Sequence, residues 1–159
     1  MNIFYLDRDP EQCAKWHVDR HIVKMPLEYA QLLSTAHVMI DGVQRGYKAT
    51  HQNHPSAKWA RSSLPNYHWL YKLFQQTAEE YRYRYGRPHK SWTDLSEPLR
   101  HPPRDVADLG WFPPFMAMPV DYMVIGKPME SYRDYYNRGK RDLHCWSRRD
   151  PPPWITIRA

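Results

Sequence analysis

His21-Ile-Val-Lys-Met-Pro-Leu-Glu-Tyr-Ala-Gln-Leu-Leu-Ser-Thr-Ala-His-Val-Met-Ile40 is the stretch on which the fold turns. Within it Ile22, Met25, Tyr29, Leu33, Ala36 and Ile40 recur at steps of three and four, the period of one helix face. The pattern predicts an amphipathic helix over residues 20 to 40. Asp41-Gly42 closes it, because glycine readily takes the left-handed conformation that ends helices. Pro26 lacks an amide hydrogen and its ring crowds the carbonyl of Ile22, which predicts a kink there or a break from an earlier helix near residues 10–18.

Upstream, Ile3, Phe4 and Tyr5 within residues 2–6 predict one short strand or extended arm, ended by Asp7-Arg-Asp-Pro10. Asp9 as N-cap, Pro10 at the first helical position and Glu11 in the first turn open a helix. Downstream, Val43 to Asn53 reads as a polar loop without period. Pro55 opens a short helix through Ser62, and Pro65 opens a long one through Tyr85 that stops at Gly86. The proline-rich segment from Pro88 to Pro128 is expected to wrap the body as ordered coil with short helical turns. A last helix from Glu130 to Trp146, carrying Tyr132, Tyr135, Tyr136 and Leu143, precedes a basic tail ending at Trp154. The expected fold is mostly α: a compact single-domain helical bundle with a short N-terminal extended strand and a Pro-rich wrapping coil. Its parts are a core over 1–90, the wrap over 91–128, and a C-terminal helix and basic tail over 129–159.

The chain has 159 residues, room for one domain with a sizeable core. Lys plus Arg number 23 against 17 Asp plus Glu, a formal charge of +6 that favours polyanionic partners. Its 12 Tyr and 7 Trp exclude a disordered chain of this charge. No window approaches a membrane span, and the N-terminus does not read as a signal peptide. Cys13 and Cys145 match no metal or redox spacing, so a reducing, cytoplasmic setting is expected.

On a helix, His17, His21, Lys24, Glu28, Gln31 and Thr35 fall within an arc of about 80°, opposite the apolar stripe. A solvated face would explain such a stripe. Its two imidazoles, amine, carboxylate and amide are also the set that acid–base chemistry beside a phosphate requires. Lys24 and Glu28, at i and i+4, can pair; in a cleft they would become nucleophile and base candidates. His54 or Asn53 can cap the helix that Pro55 opens, and Arg61 suits a phosphate through its planar fork. His17, His21, His51 and His54 could bind a metal, but no acid or thiol completes a familiar spacing; metal-independent chemistry is expected, with no cofactor. Asn66, Leu70, Leu73, Thr77, Glu80 and Arg84 share one face of the long helix. The run from Tyr81 to Lys90 interleaves aromatics with cations, as a nucleic-acid contact would, and Lys140, Arg141, Arg148 and Arg149 repeat the theme.

Ala14, Asp19-Arg20, Lys24, Glu28, Gln31, Leu32-Leu33, Asn53-His54-Pro55, Trp59, Glu80-Tyr81 and Arg84, in that order, resemble the pyrimidine-dimer DNA glycosylases of phages and bacteria, the endonuclease V-type superfamily. The chain looks like a divergent phage-type member. The resemblance covers about residues 3 to 90 and implies a compact helical enzyme that flips a pyrimidine nucleotide out of DNA and attacks there. It implies catalytic roles for Lys24, Glu28, Glu80 and His54, and DNA contacts from His17, His21, Trp59, Arg61, Asn66, Arg84 and Lys90. DNA is the expected partner, with no membrane and no obligate protein partner. The best-known members use their N-terminal amine to form a Schiff base with the deoxyribose. This chain begins Met1-Asn2, and Asn disfavours removal of the initiator Met, so Lys24 is the expected nucleophile, or else Glu28 or Glu80 activates water or an incoming amine. Two other readings are a phage base-hypermodification transferase acting on 5-hydroxymethyluracil-derived bases and a non-catalytic nucleic-acid or nucleotide-binding module.

Overall fold

The structure, a computed structural model, describes residues 1–156. Helix α1 spans Pro10–Lys15, α2 Asp19–Asp41, α3 Pro55–Ser62, α4 Leu64–Tyr85, α5 Lys90–Leu95 and α6 Pro128–Asp134. Helices α2 and α4 form the central pair, with α1 against α4 and α3 against α2. They run antiparallel: Arg84 at the end of α4 meets Asp19 at the start of α2, and Tyr67 near the start of α4 meets His37 near the end of α2. The fold is all-α, as the helical period requires.

Helix starts and stops follow local chemistry. The Asp9 carboxylate accepts the Glu11 N–H at 3.2 Å to open α1. Gly42 and Gly86 close α2 and α4 at φ 68° and 74°, values that a side chain disfavours. Pro26 does not break α2, which runs unbroken from Asp19 to Asp41. The break falls earlier, at Trp16–Val18, between α1 and α2. Pro26 is itself buried, and that burial outweighs the one hydrogen bond it removes.

One expected alternative is decided and one expected element takes another form. Residues 2–6 form no strand; no sheet exists among the described residues. They are an extended arm threaded into the core, with Ile3, Phe4, Tyr5 and Leu6 all buried. Side chains serve its backbone in place of a ladder: Tyr29 Oη accepts the Phe4 N–H at 3.4 Å, and Arg133 Nε donates to the Leu6 carbonyl at 2.8 Å. The last helix is also shorter than expected. It ends at Asp134, passes into a π turn over Tyr135–Gly139 and then a 3-10 turn over Arg141–Leu143.

The proline-rich coil is fastened to the α3–α4 junction. Trp59 Nε1 donates to the Phe112 carbonyl at 2.9 Å, and Ser63 Oγ to the Gly110 carbonyl at 2.8 Å. The other fastening is electrostatic. The Arg84 side chain, wholly buried, donates to Glu80 (2.8 Å), Asp19 (2.9 Å) and the carbonyls of His17 (2.8 Å) and Lys15 (3.0 Å). Arg149 of the tail completes the Glu80 carboxylate at 2.9 and 3.0 Å. Burial alone would raise the Glu80 pKa, but the bonds from Arg149 and Arg84 hold it below the usual value. This cluster joins α1, α2, α4 and the tail. Arg84→Ala removes one of two guanidinium partners from the buried Glu80, takes an ion-pair partner from Asp19 and leaves the His17 and Lys15 carbonyls without their donor, and is expected to cost about 3 kcal/mol, read as a lower denaturant midpoint.

Candidate active site

The extended arm carries the α-amine of Met1 to α2, 3.3 Å from Glu28 Oε1. Lys24 Nζ approaches the other oxygen, Oε2, at 3.4 Å. One carboxylate thus lies between two amines, its side chain 10% exposed while that of Lys24 is 63% exposed. Glu28 Oε2 has no aligned hydrogen bond among the described residues despite the nearby ammonium, so that contact is Coulombic. Asn2 Oδ1 and Ser56 Oγ are buried without partners as well. Asn2 adjoins Met1, and the Ser56 N–H bonds to His54. Buried polar groups are rarely left unpaired, and three lie on residues of this neighbourhood.

His54 caps α3: its Nδ1 accepts the Ser56 N–H at 3.0 Å. The cap assigns the neutral tautomer, with the proton on Nε2 free to donate. Burial, the Met1 ammonium and His51 hold its pKa below the usual imidazole value, against the pull of Glu28. His51, at φ 49°, occupies the left-handed region that non-glycine residues seldom adopt, and its carbonyl accepts the His54 N–H at 2.9 Å. Met1, Lys24, Glu28 and His54 therefore share one neighbourhood.

Glu80 is not part of it. Its carboxylate is saturated by Arg84 and Arg149, and no hydrogen bond or ion pair among the described residues links it to Glu28. Arg84 is likewise consumed inside the protein. His17 lies outside α2 and is wholly buried: its Nδ1–H donates to the Cys13 carbonyl and its Nε2 accepts from Tyr29 Oη, both at 2.7 Å. His21 stacks on Phe4 at 4.1 Å and accepts from Tyr136 Oη at 2.6 Å. Trp59 and Asn66 are wholly buried and bond to the wrap: Asn66 Oδ1 accepts the Phe112 N–H at 3.4 Å. None of His17, Trp59, Asn66 or Arg84 offers a surface to DNA. Lys90 is exposed and pairs with Asp94 at 2.8 Å. Arg61 is half-buried, with its Nη1 buried and without a hydrogen-bond partner among the described residues. The supposed polar stripe of α2 is mostly interior; the surface face instead carries Lys24 with Val23 and Leu27.

The Met1 amine, which the Met1-Asn2 start set aside in favour of Lys24, is brought against Glu28 by the fold. Its signal was the apolar run Ile3-Phe4-Tyr5-Leu6, which buries the arm and so fixes the terminus. No three His, Cys, Asp or Glu side chains converge as a metal site among the described residues. Cys13 and Cys145 are unpaired thiols. No helix among the described residues is long and apolar enough to cross a membrane.

A basic helical domain that holds a buried carboxylate against its own α-amine has the parts for amine chemistry on a polyanion. The family model for pyrimidine dimer DNA glycosylase matches residues 1–94, and the chain belongs to that family. DNA is the partner on which this family acts. No curated protein and no solved structure matches the chain.

The buried histidines carry a pH signature. Burial lowers His17 to about 4 and His21 to about 2, against 6.5 when unfolded. Above pH 6.5 neither state binds these protons. Below it the unfolded chain takes up protons that the native state refuses, so stability falls as pH drops from 6.5 toward 4. Glu80 and Asp19, with pKa values depressed by folding, add to the loss only at lower pH, as they protonate. Urea midpoints measured across this range should fall steadily, and His17→Gln should make the dependence shallower.

Proposed function

We propose that the chain is a DNA glycosylase with lyase activity that acts on a flipped pyrimidine nucleotide, with the Met1 amine as nucleophile. The observation that carries this reading is the Met1 Nα–Glu28 contact of 3.3 Å in a member of this family. Both Met1 and Lys24 approach Glu28, and burial favours Met1. The Met1 side chain is only 3% exposed, so its buried arm orients the amine, whereas the Lys24 side chain extends into solvent.

Glu28 accepts a proton from the Met1 ammonium and frees its lone pair. Nα bonds to C1′ of the deoxyribose as the bond from C1′ to the base breaks, and the pyrimidine leaves with that electron pair. The second amine proton passes to O4′ as the C1′–O4′ bond opens, which leaves a protonated imine at C1′. Glu28, having given its first proton to the departing pyrimidine, takes a C2′ proton from that imine, and the electron pair expels the 3′ phosphate and cuts the strand. Lys24, on the rim, neutralises a phosphate, as does Arg61. His54, with Nδ1 occupied by its cap, donates from Nε2 to the sugar or base as a neutral acid.

Borohydride should trap the imine on duplexes containing a pyrimidine dimer, an abasic site or 5-hydroxymethyluracil. The adduct is expected in the peptide that begins at Met1, and Glu28→Gln should reduce its formation at least a hundredfold. An adduct on Lys24 would move the nucleophile, a gain of mass on intact DNA would replace excision by transfer, and neither adduct nor base release would refute the proposal. His54→Asn retains a capping group, so it should leave thermal stability nearly unchanged while slowing trapping. His54→Ala should also lose about 1 kcal/mol of helix capping.

A further inference from the structure

The C-terminal part lies outside the stretch that matches the family, yet it reaches the arm whose first residue stands at the candidate site. The π turn over Tyr135–Gly139 closes with the Lys140 N–H donating to the Tyr135 carbonyl, five residues back, at 3.0 Å. The extra residue rotates the chain beyond the turn by about 100° relative to a continuing α-helix. Gly139 permits the tight turn, since a Cβ there would lie 2.6 Å from the Tyr135 ring and 3.0 Å from that of Tyr122.

The turn delivers Lys140 to the arm. Its Nζ lies 5.9 Å from the centroid of Phe4 and 5.0 Å from that of Tyr135. Phe4 in turn stacks on His21, one helical turn before Lys24. Lys140 therefore lies against the Phe4 ring of the stack, while Arg20 and Lys24 flank His21 on α2. Their common field is felt by His21, whose protonation is disfavoured first by burial, then by His17, Lys140, Lys24 and Arg20.

These cations are treated differently from others in the same part of the chain. Lys127, Arg133, Arg138 and Arg149 each have a carboxylate partner. Arg20, Lys140 and Arg141 pair with no carboxylate among the described residues; aromatic rings alone hold Lys140. Like charges gathered without counter-charge oppose folding, and an anionic ligand would relieve that repulsion. Arg141 also opens onto a cleft of about 440 Å³ bounded by His144, Trp146 and Arg149.

We propose that Lys140 and Arg141 from the C-terminal turn, with Arg20 and Lys24 from α2, form a phosphate-binding rim that grips the sugar-phosphate backbone of the DNA strand entering the Met1–Glu28 site. The proposal rests on the reading of that site as DNA-processing. It adds that residues beyond the family-matched stretch supply part of the DNA grip.

The test is the anisotropy of a labelled DNA duplex titrated with the full chain between 50 and 200 mM salt. Each lost phosphate contact lowers the slope of log K against log salt by about 0.9, so Lys140→Ala and Arg141→Ala should each show that drop and the double variant about 1.8. Lys140→Arg should restore the slope. Lys127→Ala removes the same charge from an ion-paired position and should leave the slope unchanged; thermal melts confirm that each variant is folded. Slopes of the Lys140 and Arg141 variants equal to that of Lys127→Ala would overturn the rim, even with Glu28-dependent trapping intact. Reduced slopes without any trapping would keep the rim and overturn the catalytic reading instead.

Discussion

Burial of the arm Ile3–Leu6 is the constraint on which the rest of the molecule depends. A buried, extended segment with no neighbouring strand leaves its backbone polar groups to be satisfied by side chains. Tyr29, Cys13 and Arg133 take that work, the thiol donating to the Phe4 carbonyl at 3.1 Å. Tyr29 can do so because His17 anchors it, and His17 can accept its proton because burial keeps the imidazole neutral. The arm, the α1–α2 break and the neutral histidines are therefore one arrangement. Its outcome is that the first amine of the chain stands beside Glu28.

Two clusters of charge divide the work of the molecule, and saturation tells them apart. Around Arg84 the partners close: Glu80 has two guanidinium groups, and Asp19 has Arg84, Ser147 and Cys145. Such a cluster fixes helices relative to one another and has nothing left to offer a ligand. Around Glu28 the bonding is incomplete, with unpartnered oxygens on Asn2, Glu28 and Ser56 beside two amines and a capped imidazole. Incomplete bonding in the interior is a cost that a substrate can remove.

Aromatic side chains extend that division over the surface. Much of the tyrosine and tryptophan content is committed internally: Arg148 and Arg149 stack on Tyr83 at 4.3 and 4.1 Å, and Arg8 on Trp111 at 4.5 Å. The interleaved run from Tyr81 to Lys90 thus holds the tail in place at Tyr83. It is the C-terminal turn beyond it, at Lys140 and Arg141, that leaves cations without a carboxylate partner among the described residues.

Local chemistry determined most of the helical frame. The spacing of Ile22 to Ile40, the prolines at 55 and 65 and the glycines at 42 and 86 mark elements whose causes lie within a few residues, so the all-α class and most helix ends were legible. Lys24, Glu28 and His54 were legible as candidates because i, i+4 spacing and capping are local as well. Tertiary structure decided the rest. Whether Pro26 breaks a helix depends on packing around it, and whether residues 2–6 pair or thread the core depends on what lies beside them. Whether Glu80 or Glu28 remains open depends on guanidinium groups, Arg149 among them, that arrive from distant sequence. A side chain's chemistry is written in its type, but its availability is set by neighbours brought together only when the chain folds.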